Sequence, residues 1–191
     1  TRYSPTPLEV LQNPWIQWTI CLPREVDAPH YDDIRTTGFA ALKSLGMGSG
    51  LSHMEWFRRH DGSVAISEVG ARPPGAQIVS LMSWAHDIDV YAAWARSVVL
   101  KHFDPPKRKY AAGVAFLRGQ GEGRVVDVTG LEAAQKILGH LVVETRLPRA
   151  GQRPGSGYEG EGYVILRHPE TSVVEAALHK LITTVQVKIS R

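Results

Sequence analysis

The stretch Met54-Glu55-Trp56-Phe57-Arg58-Arg59-His60-Asp61-Gly62-Ser63-Val64-Ala65-Ile66-Ser67-Glu68 decides the fold, because two strand-like runs flank an Asp-Gly pair. Such a pair is the strongest short-range hairpin signal, since a type I′ turn needs positive φ at both central residues. With Asp61 and Gly62 in those places, the register predicts Glu55 opposite Glu68, Phe57 opposite Ile66 and Arg59 opposite Val64. Both glutamates then share one face with Cβ atoms about 4.5–5.5 Å apart, where like charges destabilise. Two remedies exist: Arg72 neutralises the pair, or a divalent cation is held between the carboxylates. The residues leave both open. Mg²⁺ favours one or two carboxylates plus substrate phosphates, so opposed glutamates suit a nucleotide-bound metal.

Working outward, residues 31–45 place Ile34, Ala41, Leu42 and Leu45 on one helical face, with Gly46 where a left-handed cap is expected. A Pro-punctuated entry over residues 4–14 leads into an alternating run at 15–22, read as a strand. Downstream of the hairpin the pattern predicts helices over 75–85 and 89–100. The run Phe103-Asp104-Pro105-Pro106-Lys107-Arg108-Lys109 has no apolar face, and tandem proline stops a helix. It is read as a linker, about 103–110, dividing a domain over 1–104 from one over 110–191. The second is expected to be a small β-rich unit. Its strands are predicted at 112–118 and 123–128 around a glycine-rich turn, then at 141–147, 163–167 and 186–189. Helices are predicted at 131–138 and 172–184. Glycine-rich residues 148–162 are either functional or disordered.

The order Met54-Glu55-Trp56, Asp61-Gly62, Glu68-Val69-Gly70-Ala71-Arg72 resembles the ATP-grasp signature: a strand glutamate, a hairpin, and Glu-x-Asn-x-Arg. The resemblance extends through Leu42-x-x-Leu45-Gly46 and Gly50-Leu51-Ser52-His53, and into the helix after Gly75. It is most similar to the branch containing carbamoyl-phosphate synthase, biotin carboxylase and the carboxylate-amine ligases. The implied fold class is α+β, the C-terminal half of an ATP-grasp fold with antiparallel sheet and helices, followed by the small β-rich domain.

The resemblance also implies site roles. Glu55 and Glu68 hold Mg²⁺ (or Mn²⁺) bridging the phosphates of ATP, and catalytic Arg72 contacts the transferring phosphate or acyl phosphate. Gly75 offers a backbone N–H to the nucleotide at a helix N-terminus. The family's asparagine, a second-metal ligand, is Gly70 here and supplies no coordinating atom. Cross-strand counting sets His53 opposite Gly70, as a candidate ligand better matched to Mn²⁺ or Zn²⁺ than to Mg²⁺.

The implied reaction is that of an ATP-dependent ligase joining a small carboxylate, activated as an acyl phosphate, to an amine or similar nucleophile. The chain opens at Thr1 and lacks the family's front half, so it is expected to be a fragment, inactive without the N-terminal part of the same protein. A biotin-carboxylase-like subunit and a non-catalytic ATP-grasp-derived module stay open as alternatives, as does a homodimer.

Composition narrows the remaining classes. With 191 residues, 43% hydrophobic and 21% charged, the chain is ordinary globular material. No run of apolar residues is long enough for a membrane span, so no membrane partner and a cytoplasmic location are expected. The net charge of +3 comes from scattered Lys and Arg that form no stripe, so no nucleic acid is expected. The one cysteine, Cys21, is read as a buried structural thiol, and no histidine pair has zinc-ligand spacing.

Overall fold

The computed structural model describes every residue except Pro14 and Ser156, so the end of the expected Pro-punctuated entry lies outside the described residues. In chain order the elements are β1 (Arg2–Ser4), α1 (Pro7–Gln12), β2 (Trp18–Leu22), α2 (Asp32–Ser44), β3 (His53–Arg58), β4 (Val64–Gly70), α3 (Ile78–His86) and α4 (Val90–Leu100). There follow β5 (Ala111–Leu117), β6 (Gly119–Gln120), β7 (Arg124–Thr129), α5 (Leu131–Leu138), β8 (Val142–Arg146), β9 (Gly162–His168), α6 (Thr171–Thr184) and β10 (Gln186–Ser190). The fold class is α+β, as expected, with two antiparallel sheets and one mixed sheet among the described residues. Among the described residues no helix is long and apolar enough to cross a membrane.

Two compact units result. One gathers Thr1–Arg24, Trp84–Asp87 and Arg108–Arg191; the other gathers Glu25–Ser83 and Ile88–Lys107. The first unit is built on an antiparallel sheet ordered β1-β2-β5-β9-β8. This grouping differs from the division at 103–110, because β2 pairs along its whole length with β5 and so joins the N-terminal strands to the C-terminal sheet. Tandem proline ends a helix, but it says nothing about which distant strand completes a ladder. The same pairing explains why β2 is buried throughout rather than alternating: it lies between two strands and is covered on both faces.

One face of β5 carries Ala111, Ala115 and Leu117 into a core with Val174, Ala177, Leu178 and Leu181 of α6. Gly113 permits that approach: a Cβ there would stand 2.5 Å from Leu178 Cδ1 and 2.9 Å from Val174 Cγ1. On the other face Trp18 stacks on Phe116 at 4.8 Å between ring centroids. Cys21 is buried and in no disulfide, in line with the structural thiol read from the sequence.

The expected hairpin of β5 with β7 does not form. The chain leaves β5 through β6, which pairs parallel with β10, and β7 pairs antiparallel with the other edge of β10. Gly121 and Gly123 both adopt φ +123°, and a Cβ at Gly123 would meet Ser190 O at 2.3 Å. The glycines route the chain beside β10 instead of turning it back on β5.

The glycine-rich loop is braced by one buried acid. Glu161, 3% exposed, accepts hydrogen bonds from Gly119 N at 2.8 Å and Gly155 N at 3.1 Å. Its own backbone N–H bonds Leu117 O, and its carbonyl accepts from Gln152 Nε2. Arg118, 6% exposed, has Nη1 at 3.4 Å from the carbonyls of Val10 and Ile16. Burial pushes its pKa down, and the Glu161 charge opposes that shift.

Candidate functional site

The second unit carries the predicted hairpin. Strand β3 pairs antiparallel with β4, and Glu55 stands directly opposite Glu68, with His53 opposite Gly70. Toward the tip the register differs from expectation by one: Phe57 faces Ala65 rather than Ile66, and Arg58, not Arg59, faces Val64. Gly62 N donates to Arg59 O and Arg59 N to Ser63 O, both at 2.9 Å, while Gly62 alone in the turn has positive φ. This is a three-residue connection ending in a left-handed glycine, and it spares Asp61 the positive φ that a type I′ turn demands. A bulge at Ser67 absorbs the offset, because Glu55 pairs with Glu68 while Trp56 pairs with Ile66.

Asp61 locks the turn by accepting from Ser63 N at 2.9 Å and Ser63 Oγ at 2.7 Å, which holds its pKa below the usual range. Arg58 ties the tip to α2 through both oxygens of Asp33, at 2.6 and 3.1 Å, and donates to Gly62 O at 2.8 Å. The Arg58 hydrogen bond lowers the Asp33 pKa. Helix α2 reaches the hairpin where Gly38 leaves room for Met54.

On the carboxylate face, Glu55 and Glu68 side chains are 53% and 56% exposed. His53 Nε2 lies 3.5 Å from Glu55 Oε1, and Arg72 Nη2 lies 3.6 Å from Glu68 Oε1. Neither contact is short enough for a charge-assisted hydrogen bond. Arg72 Nη1 donates to Pro73 O at 3.2 Å. Phe57, two residues beyond Glu55, is 62% exposed and was not singled out from the sequence. A large apolar ring held in water is the signal that would mark it.

Gly75 sits three residues before α3, whose first turn begins at Ile78, so it does not open the helix as predicted. Its carbonyl accepts from Ile78 N at 3.0 Å. Between them Ala76 and Gln77 adopt φ +51° and +59°, two consecutive left-handed residues without the freedom of glycine.

The donor set fits a hard divalent cation. Two opposed carboxylates supply oxygen ligands on an open face, and the remaining positions are available to a phosphorylated ligand. Among the described residues no group of three or more His, Cys, Asp and Glu side chains is gathered as a metal cage, and His53 is a neighbour of Glu55 rather than part of such a group.

No family model matches the chain, and no curated protein matches it. Solved structures do. An L-amino acid ligase from Bacillus licheniformis matches with TM-score 0.72 and 20% identity over 91% of this chain and 46% of that one. An N5-carboxyaminoimidazole ribonucleotide synthetase from Thermotoga maritima matches with TM-score 0.66 and 18% identity over 90% and 46%. The biotin carboxylase domain of the Hydrogenobacter thermophilus 2-oxoglutarate carboxylase, in complex with MgADP, ADP and bicarbonate, matches with TM-score 0.53 and 11% identity over 91% and 39%. All three are ATP-grasp enzymes, and this chain has the fold of their C-terminal portion. It spans less than half the length of each.

Proposed function

We propose that this chain is the metal-binding C-terminal portion of an ATP-grasp ligase that activates a small carboxylate as an acyl phosphate with Mg-ATP and passes it to an amine or similar nucleophile. The observation that carries the reading is the opposition of Glu55 and Glu68 on one half-exposed face, with the Arg72 guanidinium beside it. Burying or cancelling the repulsion would suit a purely structural pair; leaving both carboxylates open to solvent suits a ligand. A divalent cation bound there would supply positive charge that stabilises phosphoryl transfer. Glu55 and Glu68 would hold it from opposite strands, at a separation set by the backbone ladder. Arg72 would turn its planar fork from Glu68 toward phosphate or acyl phosphate, a two-point contact that a lysine does not reproduce.

The reading includes a further N-terminal part of the same protein carrying the rest of the nucleotide site, since the matched ligases are about twice as long. The test is ATP-dependent ADP release by the complete protein across a panel of carboxylates and amines. One combination should release ADP in step with ligated product. A second reading rests on Gly70, which lacks the ligating side chain of the ATP-grasp signature: a module that binds nucleotide without turnover. Tight nucleotide binding with no ADP release from any combination would select it.

A further inference from the structure

The five-stranded sheet ends on β8, which among the described residues pairs with β9 on one side and with no strand on the other. An edge strand presents a row of backbone N–H and C=O groups that a further strand can take up. A bulge at Val143 interrupts the ladder at one end, but Glu144, Thr145 and Arg146 pair without a break with Ile165, Val164 and Tyr163. The edge is self-complementary. Along Val143-Glu144-Thr145-Arg146-Leu147 an apolar residue, an acid, a small polar residue, a base and an apolar residue follow in order. Two antiparallel copies centred on Thr145 set Glu144 opposite Arg146 twice and Val143 opposite Leu147 twice. A two-fold axis normal to the sheet keeps every side chain on its own face, so the centre moves only by whole residues. Centring on Glu144 or on Arg146 brings like charges face to face, and centring on Arg146 also draws Pro148, which has no N–H, into the ladder. Charge therefore selects one register.

The side chains suit that register. Glu144 accepts from Trp84 Nε1 at 2.9 Å and from Tyr163 Oη at 2.8 Å, two neutral donors that fix the carboxylate without cancelling its charge. Each oxygen keeps a further lone pair. Arg146, two residues along on the same face, is exposed, and among the described residues no hydrogen bond or ion pair holds its guanidinium. On the other face Thr145 and Leu147 line an apolar groove with Leu131 and Leu138 of α5 and Val164 of β9, and Leu147 is left 41% exposed. We propose that β8 is an interface for a second copy of this chain: two β8 strands pair antiparallel about Thr145, with Glu144 of each copy opposite Arg146 of the other, and join two sheets into one. Each guanidinium then meets a carboxylate already held in place, and each Leu147 is covered by Val143 of the other copy. The pairing uses no residue of the carboxylate hairpin and is independent of its metal-binding reading.

Sedimentation equilibrium of the complete protein, from micromolar to millimolar concentration, tests the pairing in wild type and in Arg146→Glu, with thermal melting to verify folding. Wild type should pass from monomer to dimer as concentration rises. In Arg146→Glu both ion pairs become pairs of acids, so the dimer dissociation constant should rise at least about tenfold. Register is read by single cysteine substitutions oxidised with copper phenanthroline. Thr145 is exposed and faces itself across the axis, and facing Cα atoms of an antiparallel pair stand about 4.5–5.5 Å apart, within disulfide reach. Thr145→Cys should link into a covalent dimer well ahead of Leu147→Cys, whose two copies lie at opposite ends of the pairing. Leu147→Cys linking as readily as Thr145→Cys, or an association that Arg146→Glu leaves unchanged, would overturn the proposal by placing the interface elsewhere. A wild type that stays monomeric throughout would overturn it too, and would give the edge to a different occupant.

Discussion

Glu161 in the sheet unit and Glu68 in the hairpin unit are the same side chain put to opposite uses. Glu161 is 3% exposed and each of its oxygens accepts a backbone N–H. Glu68 is half exposed, faces another carboxylate, and has its nearest cation at 3.6 Å. A carboxylate in the first condition is committed to the fold, because removing it strands donors that water does not reach. In the second it is held in place by the backbone while its charge stays available. The comparison separates structural acids from candidate ligands without reference to any relative.

The largest effect that would sharpen the contrast is at Glu161. Replacing it by alanine leaves Gly119 N and Gly155 N without an acceptor and removes the charge that offsets buried Arg118, at a cost of about 3 kcal/mol. Chemical denaturation should show that loss. A change under about 0.5 kcal/mol, the range of an ordinary surface substitution, would break the comparison from the sheet side.

Glu68→Gln should do the reverse. Removing one of two opposed charges relieves repulsion, so the melting temperature should hold or rise slightly. ATP turnover by the complete protein should fall at least about tenfold, equivalent to about 1.4 kcal/mol of transition-state stabilisation. Arg72→Lys should behave alike, keeping the charge but losing the fork. Normal turnover by both variants would sink the catalytic reading. Lower stability with normal turnover would instead make Glu68 the partner in a structural ion pair.

The sequence showed the hairpin site better than it showed the sheet. The opposition of Glu55 and Glu68 was legible because Asp61-Gly62 restricts where the chain can reverse. The turn type was not, since a connection with Gly62 alone at positive φ uses the same residues. The bulge at Ser67 has no compositional mark, and it restored the carboxylate pairing by offsetting the turn. In the sheet unit, helices and strands are visible from period, but the partnership of β2 with β5 spans about half of the chain and leaves no local signature. Glu161 was passed over because nothing in a glycine-rich run distinguishes a bracing acid from a solvated one.

Titration extends the contrast with smaller effects. In the sheet unit, Tyr163 donates to Glu144 Oε1 at 2.8 Å, and burial together with that hydrogen bond pushes its pKa up to about 12 from 10.0. A raised pKa on an acid that is neutral when protonated contributes stability that is present below pH 10 and is lost as pH rises toward 12. Tyr163→Phe should flatten the alkaline fall in melting temperature across that window. A 295 nm absorbance titration of the wild type should show one tyrosine ionising late. Identical alkaline slopes in the two proteins would remove Tyr163 from the account.

The smallest effect belongs to the hairpin unit and has the opposite sign. The Arg58 hydrogen bonds hold the Asp33 pKa below its ordinary 3.8, so the pair contributes stability above that value and loses it as pH falls through the lowered pKa. Both side chains face solvent, and exposed pairs are weak and screened by salt. The expected outcome is therefore a shallow acid limb in wild type, shallower still in Asp33→Asn, with the difference shrinking in high salt. Carboxyl resonances of Asp33 followed by NMR from neutral pH down through the acid transition give the direct measurement. An Asp33 midpoint at or above 3.8 would show that Arg58 does not hold it. The hairpin would then be held to α2 by packing, such as that of Met54 against Gly38, and the registration of Glu55 against Glu68 would depend on the strand ladder without help from charge.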